Sequence, residues 1–414
     1  MGVRKGQLEG HVLVLVTLGL VAFGLVMVFS ATSAAATIGN GDPVTFLQRQ
    51  AVYAVFGVLL LIATSRLDYH ALRALAPPLV LASLALCVLV LVAGAPVNGA
   101  RRWLTLGPAS LQPSELAKLA LALWAATYLA RRPPPQRLAE LARPLGLLAG
   151  VFCALILLEP DLGTVIVIVT MLGAMLLVAG TPAGTLAAGG GIVCALGLVA
   201  IWLEPYRRAR ILSFVDPWQD PQGAGFQTVQ AMIGLGSGGI LGDGLGEGIA
   251  KINYLPEAHT DMILAVVGEE LGLVGTAAVI LAYAAFAYAG LRVALAARDP
   301  FGKRLAAGLV AMICGQAAIN LAAVLGLAPL TGIPLPFVSY GGSSLVIALA
   351  SVGILLNIAS HGARARARPE ISDRGRGDGR ARAAGAGGRR SAPRSRRGGD
   401  VRRVAGSRRG TARS

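Results

Sequence analysis

The hydrophobicity pattern of the chain consists of long apolar runs separated by short polar segments. A membrane-spanning helix needs about 20 predominantly apolar residues, because the hydrocarbon core is about 30 Å thick and a helix rises about 1.5 Å per residue. Runs of this kind lie near residues 11–31, 47–65, 74–94, 114–130, 144–158, 162–180, 184–203, 262–291, 304–327 and 343–361. The pattern therefore predicts an all-α fold, a polytopic membrane protein with ten transmembrane helices.

The first run begins like a secretory signal, since Arg4 and Lys5 precede it and Ala34–Ala36 follow it. The apolar core of a signal peptide spans only about 7–15 residues, whereas this run continues from Val12 to Phe29. We therefore interpret the first run as an uncleaved membrane helix.

The positions of arginine and lysine predict the orientation, because these residues concentrate in short cytoplasmic loops. One side of the predicted bundle carries Arg4, Lys5, Arg66, Arg73, Arg131, Arg132, Arg137, Arg143, Arg292, Arg298, Lys303 and Arg304. We expect this side to be cytoplasmic and to hold both termini, residues 1–10 and 362–414, around a membrane domain at 11–361. The opposite side holds the loops 32–46, 95–113, 204–261 and 328–342, of which 204–261 is a large extracytoplasmic loop between helices 7 and 8. The predicted location is the cytoplasmic (inner) cell membrane.

Composition supports the prediction of a membrane protein, and the uneven distribution of charge along the chain changes how the net charge is interpreted. Of the 414 residues, 55% are hydrophobic and 14% are charged, against roughly 25% charged in soluble domains, which argues against a cytosolic globular enzyme. The net charge is +16, but residues 362–414 contain 17 arginines and 4 acidic residues and so carry +13 of it. This tail is predicted to be disordered and to bind anionic membrane lipid, so the charge does not indicate nucleic-acid binding.

The fifth and sixth runs form one stretch, residues 144–180, that only Glu159-Pro160-Asp161 interrupts. The stretch has 37 residues and makes about 55 Å of helix, whereas two full spans need about 60 Å, so the break is expected at or slightly below the outer membrane boundary. A polar backbone at that depth needs protein or a water-filled cavity around it. The break is either a tight hairpin turned at Pro160 or part of a cavity lining, and the sequence leaves both open.

Polar residues cluster around the start of the predicted fourth helix. Asn98–Trp103 precedes it, and Gln112-Pro113-Ser114-Glu115 with Lys118 begins it. Glu115 and Lys118 are three residues apart and share one helix face, so an internal ion pair and a functional role are both open. Several cations break the positive-inside pattern and suggest an anionic ligand such as a lipid phosphate: Arg102, Lys118, Arg207, Arg208, Arg210 and Lys251.

A second cluster, Tyr254–Asp261, directly precedes the predicted eighth helix. Asp261 is either a helix cap or a general base at the membrane surface, with Glu257 and His259 placed to tune it. Glu269 lies about 80° around the helix from Asp261 and is predicted to face a cavity. Glu270 points away and is predicted to form an ion pair.

A third cluster, Pro334–Ser344, opens the tenth helix from a polar loop that contains glycine. N–H groups and hydroxyls at a helix start bind anions, although a capped helix entry needs no ligand. Gly234–Gly239 matches the GxGxxG pattern, but no strand or βαβ unit surrounds it, so we reject a dinucleotide site. The eight glycines from Gly234 to Gly248 suit a backbone that turns sharply or lies close to a ligand.

Together these motifs resemble the SEDS family (shape, elongation, division and sporulation) over residues 11–361. The resemblance rests on the clusters above and on further matching segments, which are Glu159–Thr164, Asp216-Pro217-Trp218, Gly236–Gly239 and Gly268–Gly272. Asp216–Trp218 and Tyr254–Asp261 are more similar to the division members than to the elongation members. Met262 and Glu247–Ala250 depart from the usual pattern, which affects the assignment within the family only.

The resemblance implies a peptidoglycan glycosyltransferase that polymerises lipid II at the outer membrane face during cell division, with Asp261 as the essential aspartate. It implies a class B penicillin-binding protein (an FtsI-like transpeptidase) and other divisome proteins as partners, and a location at the division septum. The basic tail could then also bind a cytoplasmic division protein. The expected substrate-binding residues are Arg102, Trp103, Glu115, Lys118, Glu257, His259, Glu269, Ser339, Gly341, Gly342 and Ser343.

A divalent cation, Mg²⁺ or Mn²⁺, is a candidate cofactor for charge stabilisation, and no organic cofactor is expected. The four cysteines and four histidines show no metal-ligand spacing, so the sequence itself contains no metal signature.

Two alternative functions are a lipid II flippase and the elongation paralogue, and a scaffolding subunit is a third. A flippase needs polar groups that continue toward the inner leaflet, whereas a polymerase needs a base at the outer surface. Polar residues concentrate in the predicted outer half, which favours the polymerase. Gln316 and Asn320 in the ninth helix leave a deeper polar face open.

Overall fold

The computed structural model describes residues 2–37, 43–97, 100–107, 109–249 and 257–367. Its helices are α1 (Gly2–Thr37), α2 (Pro43–Arg66), α3 (Leu72–Ala93), α4 (Pro113–Arg131), α5 (Leu138–Leu141), α6 (Leu147–Leu158), α7 (Leu162–Ala179), α8 (Ala183–Leu203), α9 (Pro205–Val215), α10 (Phe226–Ser237), α11 (Ile263–Ala296), α12 (Pro300–Val324) and α13 (Gly342–Ala367). The tail from position 368, Asn98, Gly99, Lys251 and Tyr254–Pro256 lie outside the described residues.

Nine helices within these residues are long and apolar enough to cross a membrane. They correspond to nine of the ten predicted runs, and the all-α class is confirmed. The remaining run is α4, which has 19 residues and includes the charged Glu115, Lys118 and Arg131. Because α4 packs against α3, α7 and α12, protein rather than lipid surrounds most of its side chains. Its crossing of the membrane stays a prediction.

The helices differ widely in how much protein surrounds them. In the most apolar stretch of α12, 67% of residues are buried, and in that of α13 the share is 72%. No residue of α8 is buried, and the main contacts of this helix are with α7, α9 and the short α5. The core therefore lies around α4, α12 and α13, with α8 at the periphery.

The segment between α3 and α4 forms a small antiparallel sheet, which the sequence pattern did not predict. Its strands are β1 (Ala95–Val97), β2 (Ala100–Leu106) and β3 (Ala109–Leu111), in the order β1-β2-β3. The hydroxyl of Tyr53 accepts a hydrogen bond from the Ser110 N–H at 3.0 Å and ties the sheet to α2. β1 and β3 have three residues each, too few for an alternating pattern, and the seven residues of β2 do not alternate strictly. The sheet directly precedes α4.

The acidic break between α6 and α7 is a hairpin. Asp161 caps α7, because its carboxylate accepts hydrogen bonds from the Thr164 N–H at 3.0 Å and from the Thr164 hydroxyl at 2.7 Å. Arg102 of β2 donates to the carbonyl oxygens of Glu159 and Pro160 and so fixes the turn from outside. The hairpin interpretation is therefore confirmed.

The glycine-rich segment 238–249 is built around a break in α11. Gly272 has φ 64° and ψ −159°, so α11 consists of two helical parts. The N–H groups of Leu273 and Val274 donate to the carbonyls of Gly239 and Ile240 at 2.9 and 3.2 Å. The backbone of the glycine segment thus lies against the helix backbone. This close approach requires glycine at Gly238 and Gly242, where a Cβ would lie 2.0 and 2.2 Å from carbonyl oxygens of α11.

Replacing Gly272 by alanine should destabilise the fold by about 1–3 kcal/mol, because L residues avoid this φ and the new Cβ would lie 2.5 Å from the Ile240 oxygen. Thermal unfolding of the detergent-solubilised protein measures the effect. Gly173→Ala in α7 is the matched control, since its Cβ meets nothing within 4 Å and alanine favours helix. Equal melting of both variants would show that the break in α11 is not required.

Polar contacts at the far end of the bundle join the loops that the sequence assigns to the cytoplasmic side. The Tyr69 hydroxyl and the Arg73 guanidinium both donate to Asp299, the latter at 3.2 Å. Asn357 of α13 donates to the Ser65 carbonyl at 2.7 Å and accepts from the Tyr69 N–H at 3.2 Å. The loops 66–73 and 297–300 and the end of α13 therefore meet, as the orientation prediction requires.

Candidate active site

Asp261 lies in a turn directly before α11, at the end of the bundle opposite Asn357. Met262, and not Asp261, occupies the N-cap position of α11, so the capping interpretation is wrong. The Asp261 carboxylate accepts a hydrogen bond from the Thr260 hydroxyl at 3.3 Å, and its backbone carbonyl accepts one from Asn320 of α12 at 2.8 Å. The carboxylate is half-buried and does not cap α11.

Arg210 and Gly332 converge on the same carboxylate. A Cβ built on Gly332 would lie 3.8 Å from Asp261 Oδ2 and 3.7 Å from Arg210 Nη1. Arg210 belongs to α9, and its Nη1 donates to the Leu330 carbonyl at 3.2 Å. The turn before α11, the helix α9 and the segment after α12 thus meet at Asp261.

The surroundings of Asp261 shift its acidity. Burial and, to a smaller extent, the nearby Glu257 carboxylate raise the pKa of Asp261 to about 6, although the Arg210 guanidinium opposes both. A carboxyl group with a pKa near neutrality both accepts and releases protons readily, which suits a general base.

His259, which was predicted to tune the base, packs among aromatic rings. Its ring centroid lies 5.1 Å from that of Phe46 and 5.6 Å from that of Tyr340. Burial lowers the pKa of His259, which favours the neutral imidazole. Its carbonyl accepts the Tyr340 N–H at 2.9 Å, which connects the turn of Asp261 to the start of α13.

Glu115 and Lys118 form a buried ion pair at 2.9 Å, with side-chain exposures of 4% and 2%. The Lys118 ammonium also donates to Gln316 Oε1 at 2.6 Å. The internal ion pair predicted from the spacing is therefore confirmed. A direct role of either residue in binding substrate stays a prediction.

Polar groups of the segment Pro334–Ser344 bond within the segment and to α2 and β3. The Ser339 hydroxyl accepts from the Leu335 N–H at 2.8 Å, and the Ser343 hydroxyl joins the Gln112 N–H to the Ser110 carbonyl, both at 3.0 Å. The Gly341 N–H donates to Gln50 at 3.4 Å. A Cβ on Gly342 would meet the Tyr53 ring at 2.5 Å, so only glycine fits there.

The remaining predicted site residues, Arg102, Trp103 and Glu269, contact other parts of the fold. Arg102 holds the hairpin after α6, and Trp103 is half-buried in β2, paired with Ala95. Glu269 accepts the Ile249 N–H at 2.7 Å and therefore contacts the glycine segment. Glu270 is fully buried and accepts the Ser30 hydroxyl at 2.7 Å, while its predicted ion pair stays a prediction.

Sequence reasoning named Arg210 only among the outer cations that suggest an anionic ligand and did not place it in the site of Asp261. Its signal was present, because it is one of the basic residues in a predicted outer loop. The sequence gives no measure of its distance from Asp261, which lies far along the chain. Across the residues that the structure covers, no group of three His, Cys, Asp or Glu side chains is placed to hold a metal ion.

These observations define a class: a polytopic membrane protein with a half-buried carboxylate and a neighbouring arginine where its loops meet at one end of the bundle. The model of the cell cycle protein family of FtsW, RodA and SpoVE matches residues 11–364, and the chain belongs to this family. The resemblance to the SEDS family is thereby confirmed.

Relatives and solved structures agree with this assignment. The chain is 42% identical to a "Probable peptidoglycan glycosyltransferase FtsW" of Geobacter metallireducens, over 84% of this chain and 94% of the relative. It is 39% identical to stage V sporulation protein E of Bacillus subtilis, over 84% and 96%. A chain from a study of a peptidoglycan synthase complex that coordinates polymerization and crosslinking is similar, with a TM-score of 0.71, 36% identity and coverage of 84% and 97%. The rod shape determining protein RodA of Thermus thermophilus is also similar, with a TM-score of 0.63, 32% identity and coverage of 86% and 97%.

Proposed function

We propose that this protein is a peptidoglycan glycosyltransferase that polymerises lipid II at the outer face of the cytoplasmic membrane during cell division. The observation that carries the proposal is the half-buried Asp261 carboxylate, which faces Arg210 and does not cap its helix. The relatives named FtsW and the synthase-complex structure support the reaction class.

In the proposed reaction Asp261 accepts the proton of the acceptor GlcNAc 4-hydroxyl while that oxygen attacks C1 of the donor MurNAc. The new β-1,4 C–O bond forms as the bond from C1 to the pyrophosphate oxygen breaks. Undecaprenyl pyrophosphate leaves with the bonding electrons, and Asp261 later returns its proton to water. Inversion at C1 needs one base and no covalent enzyme intermediate.

Negative charge grows on the departing pyrophosphate and needs a cation or N–H donors close by. Arg210 suits this function better than Lys118, because Arg210 is half-buried beside Asp261 whereas Lys118 is buried in its ion pair. Arg102 is engaged with the hairpin carbonyls. Among the described side chains, no group of three His, Cys, Asp or Glu residues is placed to hold the predicted divalent cation.

The proposal places the protein in the inner membrane as a multi-pass component with both termini cytoplasmic, at the division septum. A class B penicillin-binding protein is the expected partner, supported by the similar chain from a synthase complex. Lipid II is the expected substrate. Other divisome proteins, and anionic lipid or a cytoplasmic division protein at the tail, complete the predicted partners.

Purified protein, a class B penicillin-binding protein and labelled lipid II in proteoliposomes provide the test. Glycan strands in the product support the polymerase, whereas movement of lipid II between leaflets without strands would support the flippase. The structure favours the polymerase, because the amides of Gln316 and Asn320 bind loop carbonyls at the Asp261 end. Their donor groups are therefore used by the segment after α12.

The rate of polymerisation should rise with pH through about 6, because Asp261 must lose its proton before it acts as a base. Glu257→Gln removes a negative neighbour, lowers the pKa of Asp261 and should move this acidic limb to lower pH. Arg210→Gln removes a positive neighbour, raises that pKa and should move the limb to higher pH. Initial rates measured from mildly acidic to mildly basic pH check both shifts, and displacement of both variants in one direction would contradict the assignment.

A further inference from the structure

Two amides on one face of α12 connect the turn of Asp261 to the segment that follows α12. Asn320 is buried, and its Nδ2 donates to the Asp261 carbonyl at 2.8 Å and to the Ile333 carbonyl at 2.9 Å. Gln316, one helical turn earlier, donates to the Pro334 carbonyl at 2.9 Å. Since Gln316 also accepts from Lys118, the two amides continue the polar network of α4 toward Asp261.

The bond geometry of Asn320 fixes two chain segments relative to each other. One NH₂ group has two N–H bonds in fixed directions, and here each binds a carbonyl of a different segment. One of these carbonyls belongs to Asp261 itself, and the other follows Gly332, whose α-carbon faces the Asp261 carboxylate and Arg210. Any change in the spacing of the segments would therefore change the surroundings of the carboxylate.

The side-chain oxygen of Asn320 indicates that packing alone does not account for an asparagine at this position. Among the described atoms the Asn320 Oδ1 is buried and has no hydrogen-bond partner. An unpaired buried acceptor costs about 1–3 kcal/mol, a cost that an apolar side chain of similar size would avoid. The two donated bonds are thus what asparagine supplies at this position.

We propose that Asn320 is a positioning residue that holds the backbone of Asp261 against segment 331–334 and so sets the orientation and burial of the catalytic carboxylate. The inference rests on the proposed function, since it assigns a helper to the proposed base. Asn320 acts through Asp261 and does not touch the reacting atoms.

Asn320→Ala should lower the polymerisation rate by about 100-fold, because a displacement of about 1 Å in an active site has effects of this size. Its acidic limb should also move to lower pH, because a released carboxylate becomes more hydrated. The charged and polar groups that face Asp261 are Glu257, Arg210 and the Thr260 hydroxyl, and the substitution removes none of them, so the expected shift follows from the change in burial. Asn320→Ser, which keeps one donor, should give an intermediate rate and an intermediate limb.

Asn357→Ala is the matched control. Asn357 and Asn320 are both 2% exposed, and each donates to backbone carbonyls, but Asn357 lies at the other end of the bundle. The control should lose comparable thermal stability and keep the wild-type pH profile. A rate or pH profile of Asn320→Ala that matches the control would overturn the inference.

The same experiment separates this inference from the proposed function. If Asp261→Asn keeps the wild-type rate, the proposed base is wrong, whatever Asn320 does. If Asp261→Asn is inactive and Asn320→Ala is normal, the positioning role alone is wrong. Hydrogen exchange gives a readout independent of activity: peptides covering 257–263 and 330–336 should exchange faster together in Asn320→Ala and not in Asn357→Ala. Unchanged exchange in these peptides would also overturn the inference.

Discussion

Asp261→Asn is expected to lower glycan polymerisation by about 10²- to 10⁴-fold, the contribution typical of a general base. Asparagine has nearly the same shape as aspartate, and it still accepts the Thr260 hydroxyl through its amide oxygen. The backbone bond from Asn320 to the carbonyl of residue 261 is independent of the side chain. The variant should therefore fold normally and lose only the ability to take up a proton.

The measurement is the initial rate of strand synthesis from lipid II, with melting temperature recorded for every variant. Glu257→Gln is the matched control, because it removes a carboxylate from the same turn and leaves the base in place. This control should keep at least a tenth of the wild-type rate near neutral pH. A folded Asp261→Asn protein that polymerises at the wild-type rate would remove Asp261 from the mechanism.

Lys118→Met has the second large expected effect, and it acts on stability. The ammonium of Lys118 is buried with Glu115 at 2.9 Å, and removing one partner of such a pair typically costs about 3–5 kcal/mol, because a charge is left buried alone. We expect a large drop in the melting temperature and in the yield of folded protein. Fluorescence-detected size exclusion and thermal unfolding in detergent measure both.

The double variant Glu115→Gln with Lys118→Met removes both charges and should recover much of the lost stability. Recovery identifies the pair as structural, and the Gln316 contact to Lys118 explains how the loss reaches segment 333–336. A Lys118→Met protein with wild-type melting and a raised KM for lipid II would instead place Lys118 in contact with substrate.

Hydrophobic patterning was sufficient to predict most of the membrane helices. The run predicted at 162–180 is α7 at Leu162–Ala179, and the run at 184–203 is α8 at Ala183–Leu203. These limits follow from local physics, since Asp161 caps α7 and Gly180, with φ 92°, ends it. The Glu115–Lys118 pair could also be predicted, because residues three positions apart share one helix face.

Contacts between distant segments could not be predicted in the same way. The approach of Arg210 to Asp261 depends on how α9 lies over the segment after α12, and no local pattern encodes that arrangement. The break at Gly272 was also hidden, because a glycine inside an apolar run gives no sign of its φ. The N–H groups that follow the break donate to backbone carbonyls of segment 238–242, and any residue type supplies such carbonyls.

The complete absence of buried residues in α8 has a consequence for how this helix changes during evolution. A core helix such as α13 is constrained position by position, because each side chain fits particular neighbours. The lipid environment of α8 has no fixed shape to match, so one apolar residue serves there as well as another. Selection should then conserve the length and hydropathy of α8 while its individual residues drift among lineages. Sequence identity within this family would underestimate how closely two members resemble each other wherever such a helix is included.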